Sequence, residues 1–347
     1  MPAARPLPLL HEPPLAAQGD LRIAVVIPCF RVMATVCDVV RRIGPAVERI
    51  YVVDDGCPEG SGDHVLAAAH DPRVTVLRNE RNLGVGGALK RGYSQALRDG
   101  ADIVVKIDGD GQMDPEFLPL LIKPIVEGRA DYSKGNRFAL ASRVPARERR
   151  AGEREMPLRR RVGNNILSFL HKAVSGYWDI MDPTNGYTAI HRTALAAIDL
   201  EALEDGYFFE TDMLFHLNLL DAVVRDVPLP AVYGEEKSGL KIRRVILPFP
   251  AMLLCRLVRR IGAKYFLNDF NVASLELVLG IPLLLWGVGF GAYRWIAGIQ
   301  AGTTNTAGTV MLAALPTILG FQLLLSAVSY DILHVPRTPL SRQGAPE

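Results

Sequence analysis

Clustered metal-ligand cysteines and histidines are missing from this 347-residue chain. The four cysteines, Cys29, Cys37, Cys57 and Cys255, show no C-x-x-C spacing, and the seven histidines show no H-x-x-x-H. That argues against a zinc site, and scattered thiols fit a reducing, cytosolic setting. A charge bias is missing too. The formal net charge is +2, so nothing global points to nucleic acid. The first twenty residues hold five prolines and no signal-like apolar run, and read as a disordered lead. The most telling absence lies between Trp295 and Tyr330, where there is no Asp, Glu, Lys, Arg or His. That is a membrane-type composition joined to an otherwise soluble chain.

Several familiar motifs fail on spacing. A Walker A loop starting at Gly84 needs Gly where Leu89 stands and Ser or Thr where Arg91 stands. The same Leu89 breaks a G-x-G-x-x-G match. An EF-hand counted from Asp108 needs Gly at Met113 and Glu at Pro119.

What is present is a β-α rhythm. RIAVVI (22–27), IYVVDDG (50–56), VTVLRN (74–79) and IVVKIDGD (103–110) read as short buried strands, with helical patterns over 33–43 and 82–100 between them. Repetition of this kind predicts an α/β domain with a mostly parallel sheet. Right-handed crossovers then bring Pro28–Arg31, Asp54–Asp55 and Asp108–Asp110 to one carboxyl edge, where such folds hold ligands. Asp108 and Asp110 flank Gly109, and two carboxylates this close repel unless a cation sits between them. Hard oxygen ligands favour Mg²⁺ or Mn²⁺, which usually also hold substrate phosphates. Gln112 adds a neutral oxygen. The blander reading of D-x-D is a turn. Asn82–Gly87 leads into a helix whose N–H groups would approach phosphate, with Lys90 and Arg91 one turn in; the alternative is a plain loop-to-helix start.

IPCFR, VVDDG, NLGVGGALKRG and DGDGQMDP, in this order and spacing, resemble the inverting family 2 glycosyltransferases of the GT-A (Rossmann-like) fold. With the later segments the chain is similar to the polyprenyl-phosphate branch, the dolichol-phosphate mannosyltransferase-like enzymes, over residues 20–245. The resemblance implies a nucleotide-sugar site of Pro28, Phe30, Asp54, Asp55, Gly84, Lys90, Asp108 and Gly109, with Asp54 bonding the base. It implies metal ligands Asp108, Asp110 and Gln112. Catalytic roles fall to Asp108, Asp110, Glu210, Asp212 and Arg137. Arg137, Arg159, Arg160, Asp182, Lys237 and Lys241 are implied for the acceptor phosphate and a lid. One departure leaves the base open between uracil and guanine: Arg31 and Val32 stand where the family usually has Asn-Glu or Glu-Glu.

Arg143 to Arg161 holds eight arginines, three glutamates and two prolines without a helical stripe. It reads as a solvated loop and as a phosphate-clamping lid. VGNNILSFLHKAVSG (162–176) has helical spacing, and DPTNGY (182–187) is a turn. Glu210 and Asp212 open a helix, where acids also suit the macrodipole. Residues 245–266 mix an apolar face with Arg256, Arg259, Arg260 and Lys264, the pattern of an interfacial helix with its basic residues toward headgroups. Two apolar spans follow, 272–293 and 309–333, joined by an uncharged linker, 298–308. Glu276 in the first span reads as snorkelling toward the cytosolic surface, or as an intersubunit or acceptor contact. Basic residues flank both ends of the hairpin, which predicts a cytosolic catalytic domain on a cell inner membrane or its equivalent.

The expected layout is a lead at 1–20, a GT-A domain at 21–244, an interfacial helix at 245–266, a transmembrane hairpin at 267–335 and a cytosolic tail at 336–347. The expected activity is inverting, metal-dependent transfer of a UDP- or GDP-linked sugar to polyprenyl or dolichyl phosphate. Expected partners are the donor, the lipid acceptor and the bilayer, without nucleic acid, and a homo-oligomer is left open. Two alternatives stand beside it. One is extension of a polysaccharide or lipid-linked glycan, for which Asp212 would serve as base, although the Q-x-x-R-W motif of processive synthases is absent: Gly291 stands where Gln should precede Arg294–Trp295. The other is a catalytically silent membrane scaffold.

Overall fold

The computed structural model describes residues 21–138, 158–230 and 248–342. The chain divides into two compact units. One comprises residues 1–172, 179–249 and 336–347; the other comprises residues 173–178 and 250–335.

The first unit is built on β1 (Ile23–Cys29), β2 (Arg49–Asp54), β3 (Val74–Arg78) and β4 (Ile103–Lys106), alternating with α1 (Val36–Arg42), α2 (Ser61–Ala68) and α3 (Val85–Arg98). Then come α4 (Leu118–Val126), β5 (Tyr132–Asn136), α5 (Leu158–Ser175), β6 (Thr188–His191), α6 (Arg192–Ala197), α7 (Phe209–Leu219) and β7 (Val224–Pro228). The strands form one sheet in the order β3-β2-β1-β4-β6-β5-β7. β1 pairs in parallel with β2 and β4. β6 lies antiparallel to both β4 and β5, while β5 and β7 are parallel, so β6 runs against the rest.

The central strands are apolar runs because both their faces are covered. Val25, Val26 and Ile27 in β1 and Ile50, Val52 and Val53 in β2 are fully buried. β3, at the sheet edge, is only partly buried. Register fixes the edge that matters: Cys29 stands opposite Asp54, and Val26 opposite Lys106. The Asp55 N–H donates to the Cys29 carbonyl at 3.0 Å, and Thr35 Oγ1 donates to the Gly109 carbonyl at 2.6 Å. The three strand ends singled out in the sequence therefore meet.

α5 begins at Leu158, earlier than the spacing of its apolar residues predicts, and takes Arg159 and Arg160 into its first turn. That corrects the reading of 143–161 as loop throughout. The rest of the expected lid lies outside the described residues, as do Lys237, Lys241, Arg243 and Arg244. Residues 336–342 return to this unit. Leu340 N–H donates to Asp131 Oδ2 at 3.0 Å, and Arg342 Nη2 to the Glu127 carbonyl at 2.9 Å. Asp131 itself is fully buried.

The second unit contains most of α8 (Pro248–Gly262), a π-helical turn (Ala263–Asn268), α9 (Val272–Ala301) and α10 (Ala307–Leu333). α9 and α10 are long and apolar enough to cross a membrane. Asn271 and Ser274 close a capping box at the start of α9. The two helices approach closely at small residues: a Cβ on Gly320 would meet the Leu284 nitrogen and the Gly280 carbonyl. Asp331 on α10 accepts both Arg260 Nη atoms at 2.8 Å, Trp178 Nε1 at 2.7 Å and the Tyr265 hydroxyl. Arg260 also donates to the Ala173 carbonyl at 2.7 Å. One expectation is corrected here. Arg256 and Arg260 turn inward, Arg260 being 2% exposed, instead of facing headgroups. Glu276 accepts from Ser326 Oγ at 2.6 Å, a bond inside the hairpin.

Candidate active site

β4 ends at Lys106, and Ile107 carries the chain to Asp108. Lys106 is the one charged side chain in an otherwise apolar strand, and it is 2% exposed. Its Nζ lies 2.7 Å from Glu210 Oε1 and 3.2 Å from Asp108 Oδ1. Glu210 arrives from the first turn of α7. A β-strand lysine thus ties a strand-end carboxylate to a helix-borne one. Gly186 lines the same space, since a Cβ there would sit 2.6 Å from Lys106 Nζ and 2.8 Å from Asp108 Oδ2. Lys134 of β5, also buried, donates to the Asn185 carbonyl. Burial pulls Lys134 down to about 8, against the pull of Glu210 and Asp182.

The electrostatics around Asp108 are unbalanced. Burial, reinforced by Glu210 and Asp110, raises its pKa despite Lys106. Burial pushes Glu210 the same way, but Lys106 and Lys134 outweigh it and hold Glu210 low. Asp108 Oδ1 is buried, with the Lys106 ammonium 3.2 Å away as its neighbour. Asp110 Oδ1 accepts the Gln112 N–H at 3.0 Å in an Asx turn, and the Gln112 side chain is exposed. Two carboxylates close together at a strand end are a donor set that a hard divalent cation takes. Among the described residues no three carboxylate, His or Cys side chains gather into a complete cage. The residues fit a cation that draws its remaining ligands from a substrate.

Other residues singled out in the sequence have different neighbours. Arg137 and Asp182 are brought together: Nε to Oδ2 is 2.8 Å and Nη2 to Oδ1 is 3.0 Å, a forked pair with Asp182 1% exposed. Phe30 is exposed at the edge, with the Arg31 guanidinium 5.5 Å from its ring. Arg31 adopts φ +59°, an unusual value for a side chain of this size. Pro28 sits in β1 opposite Val53. Asp54 is spent on the backbone: its oxygens accept Cys57 N and Gly62 N at 2.8 Å each, holding the turn into α2. Asp55 accepts Asn79 Nδ2, Leu83 N and Gly84 N.

The glycine-rich start of α3 packs closely against Glu204 and Asp205. The Asp205 carbonyl takes Gly86 N at 2.7 Å and Gly87 N at 3.3 Å, so these donors are already used. A Cβ on Gly86 would collide with the Glu204 carbonyl. Lys90 pairs with Asp205 at 2.7 Å. Gly84 and Lys90, expected at the donor phosphate, thus have partners within the protein: Asp55 accepts from Gly84 N and Asp205 pairs with Lys90. Asp212 is fully buried, accepts Glu204 N at 2.9 Å and lies 3.9 Å from His216. Sequence reading missed Lys106, although a lysine inside an apolar strand run was the available signal.

The fold, with this carboxylate edge, is that of an α/β transferase, and the family comparison agrees. Residues 24–199 match the family described as Glycosyl transferase family 2, and the chain belongs to it. It is 33% identical over 226 residues to an undecaprenyl-phosphate mannosyltransferase of Micrococcus luteus, covering 63% of this chain and 88% of that one. It is 30% identical over 244 residues to a polyprenol monophosphomannose synthase of Mycolicibacterium smegmatis, covering 68% and 88%. Among solved structures it is similar to glucosyl-3-phosphoglycerate synthase of Mycobacterium tuberculosis in complex with Mn²⁺, UDP-glucose and phosphoglyceric acid. The TM-score is 0.52 at 22% identity, over 73% of this chain and 86% of that one. At that identity the likeness speaks to the fold.

Proposed function

We propose that the protein moves a sugar, with inversion, from a nucleotide sugar to a polyprenyl or dolichyl phosphate at the cytosolic face of a membrane. The observation that carries this reading is the pair of carboxylates, Asp108 and Asp110, at the carboxyl edge of β4 in a family 2 glycosyltransferase, with Asp108 Oδ1 buried beside Lys106. The names of the relatives supply the acceptor class. α9 and α10, read as spans, would keep the enzyme where the lipid's reactive head lies.

Asp108 and Asp110 would hold Mg²⁺ or Mn²⁺, which supplies charge stabilisation to the leaving diphosphate when bound. Lys106 holds Asp108 and Glu210 in place. The acceptor oxygen attacks the anomeric carbon, the bond to the diphosphate breaks, and its electron pair leaves with the nucleoside diphosphate. A phosphate monoester has its second pKa near ~6, so it is largely a dianion at neutral pH and needs no strong base. Opening the Arg137–Asp182 fork would release a guanidinium suited to phosphate. A sugar-hydroxyl acceptor would require a base, and Asp212, the candidate, is buried against Glu204. That favours the phosphate acceptor over glycan extension.

The test is a screen of labelled UDP- and GDP-sugars against polyprenyl phosphate with Mg²⁺ or Mn²⁺, following label into the organic phase. Metal-dependent label there supports the reading. No transfer from any donor, with intact protein, refutes it.

A further inference from the structure

We propose that Lys106 is a resident counter-cation that keeps Glu210 out of the metal site and so makes cation binding depend on the donor's diphosphate. This rests on the reading of Asp108 and Asp110 as metal ligands. The argument is geometric. Lys106 Nζ is 2.7 Å from Glu210 and 3.2 Å from Asp108, and the side chain is 2% exposed. Gly186 closes over both partners, because a Cβ there would come within 2.6 Å of Nζ and 2.8 Å of Asp108 Oδ2. The ammonium is therefore held between two carboxylates and hard against the Gly186 backbone.

Three carboxylates, Asp108, Asp110 and Glu210, approach this pocket. Without Lys106 they would offer a hard cation a site of its own. With Lys106 in place Glu210 is engaged by the ammonium at 2.7 Å. A fixed positive charge beside Asp108 also repels a free divalent ion. A donor diphosphate reverses the balance by adding negative charge and oxygen ligands, the usual way Mg²⁺ is held. The cation then enters with the donor and departs with the nucleoside diphosphate, leaving a site that does not trap metal between turnovers. Glu210 acts through Lys106, so both are positioning residues.

The experiment measures Mn²⁺ binding to the full chain in detergent by the loss of free-ion paramagnetic resonance signal, alone and with UDP or GDP. Wild type is expected to bind Mn²⁺ weakly alone and much more tightly with one of the diphosphates. Lys106→Met is expected to bind Mn²⁺ alone at least about tenfold more tightly, the scale on which outer-shell partners tune metal sites. Lys106→Met/Glu210→Gln should return to weak binding. If Lys106→Met does not fold, Glu210→Gln alone carries the test: it frees Lys106 to pair more closely with Asp108 and should weaken Mn²⁺ binding in the presence of diphosphate. A folded Lys106→Met with wild-type or weaker affinity for Mn²⁺ alone overturns the proposal, as does unchanged binding in Glu210→Gln. Absence of Mn²⁺ uptake by wild type even with diphosphate fails differently, since it overturns the metal reading itself.

Discussion

Replacing Asp108 by Asn removes one charge at nearly constant volume, and the structure sets what this should cost. The Lys106–Asp108 contact at 3.2 Å is worth ~5 kcal/mol of Coulomb energy at an effective dielectric near 20. That attraction is already overdrawn. Burial and the neighbouring Glu210 and Asp110 leave Asp108 with a raised pKa, so its ionised form is disfavoured in the folded state. Lys106 keeps its 2.7 Å partner Glu210 when Asp108 is neutralised. The fold should therefore change by no more than ~1 kcal/mol, in either direction. Catalysis should not be spared. Loss of one group that stabilises developing charge typically lowers kcat by ~10²–10³. Thermal unfolding in detergent and transfer of labelled sugar into the organic phase give the two readings. Activity within about tenfold of wild type in folded Asp108→Asn would refute the assignment, since the expected loss is ~10² or more. Collapse of the fold would refute the electrostatic reasoning.

Three other outcomes follow from the geometry. His171 is buried, its Nδ1 bonded to Thr211 Oγ1 at 2.9 Å, and burial, with Lys134, holds its pKa down to about 4. The unfolded chain binds the extra proton, so this stability is complete above ~6.5 and is lost as pH falls toward 4, by up to ~3 kcal/mol; His171→Phe should flatten that acid limb, and an unchanged limb rejects the idea. Asp331→Ala leaves Arg260 buried without its carboxylate and should cost ~3–5 kcal/mol, while an apolar double replacement of Arg260 and Asp331 recovers most of it in thermal unfolding. Gly186→Ala should displace Lys106 and Asp108 and lower kcat by ~10² with little change in nucleotide affinity, measured by titration with UDP or GDP.

The parallel half of the sheet was legible because its strands are short apolar runs at a regular interval, ending in Gly and Asp. β6 and β7 were not, since TAIH and VRDVP mix polar with apolar residues and take their strand character from partners far away in sequence. The meeting of Cys29, Asp54 and Gly109 at one edge followed from crossover handedness alone. What each carboxylate does there was not legible. Asp54 and Asp55 look like ligand-binding groups in sequence, yet both are consumed by backbone N–H groups of later residues. Asp212 lies two positions from Glu210, and on a helix that separation turns the two to different faces. The close packing of the NLGVGG glycines against Glu204 and Asp205 was not legible either, because it requires the same residue type as a phosphate loop. The inward turn of Arg260 depended on Asp331, 71 residues away, which sequence spacing cannot pair.

The return of Leu340–Arg342 to Asp131 has a practical corollary. A catalytic fragment ended before the hairpin would discard a piece of its own scaffold. Asp131 would lose a backbone donor at 3.0 Å, and the turn at Glu127 would lose its guanidinium lid. Anyone engineering a water-soluble form should splice that short peptide back on, and should place purification tags with the docked end in mind.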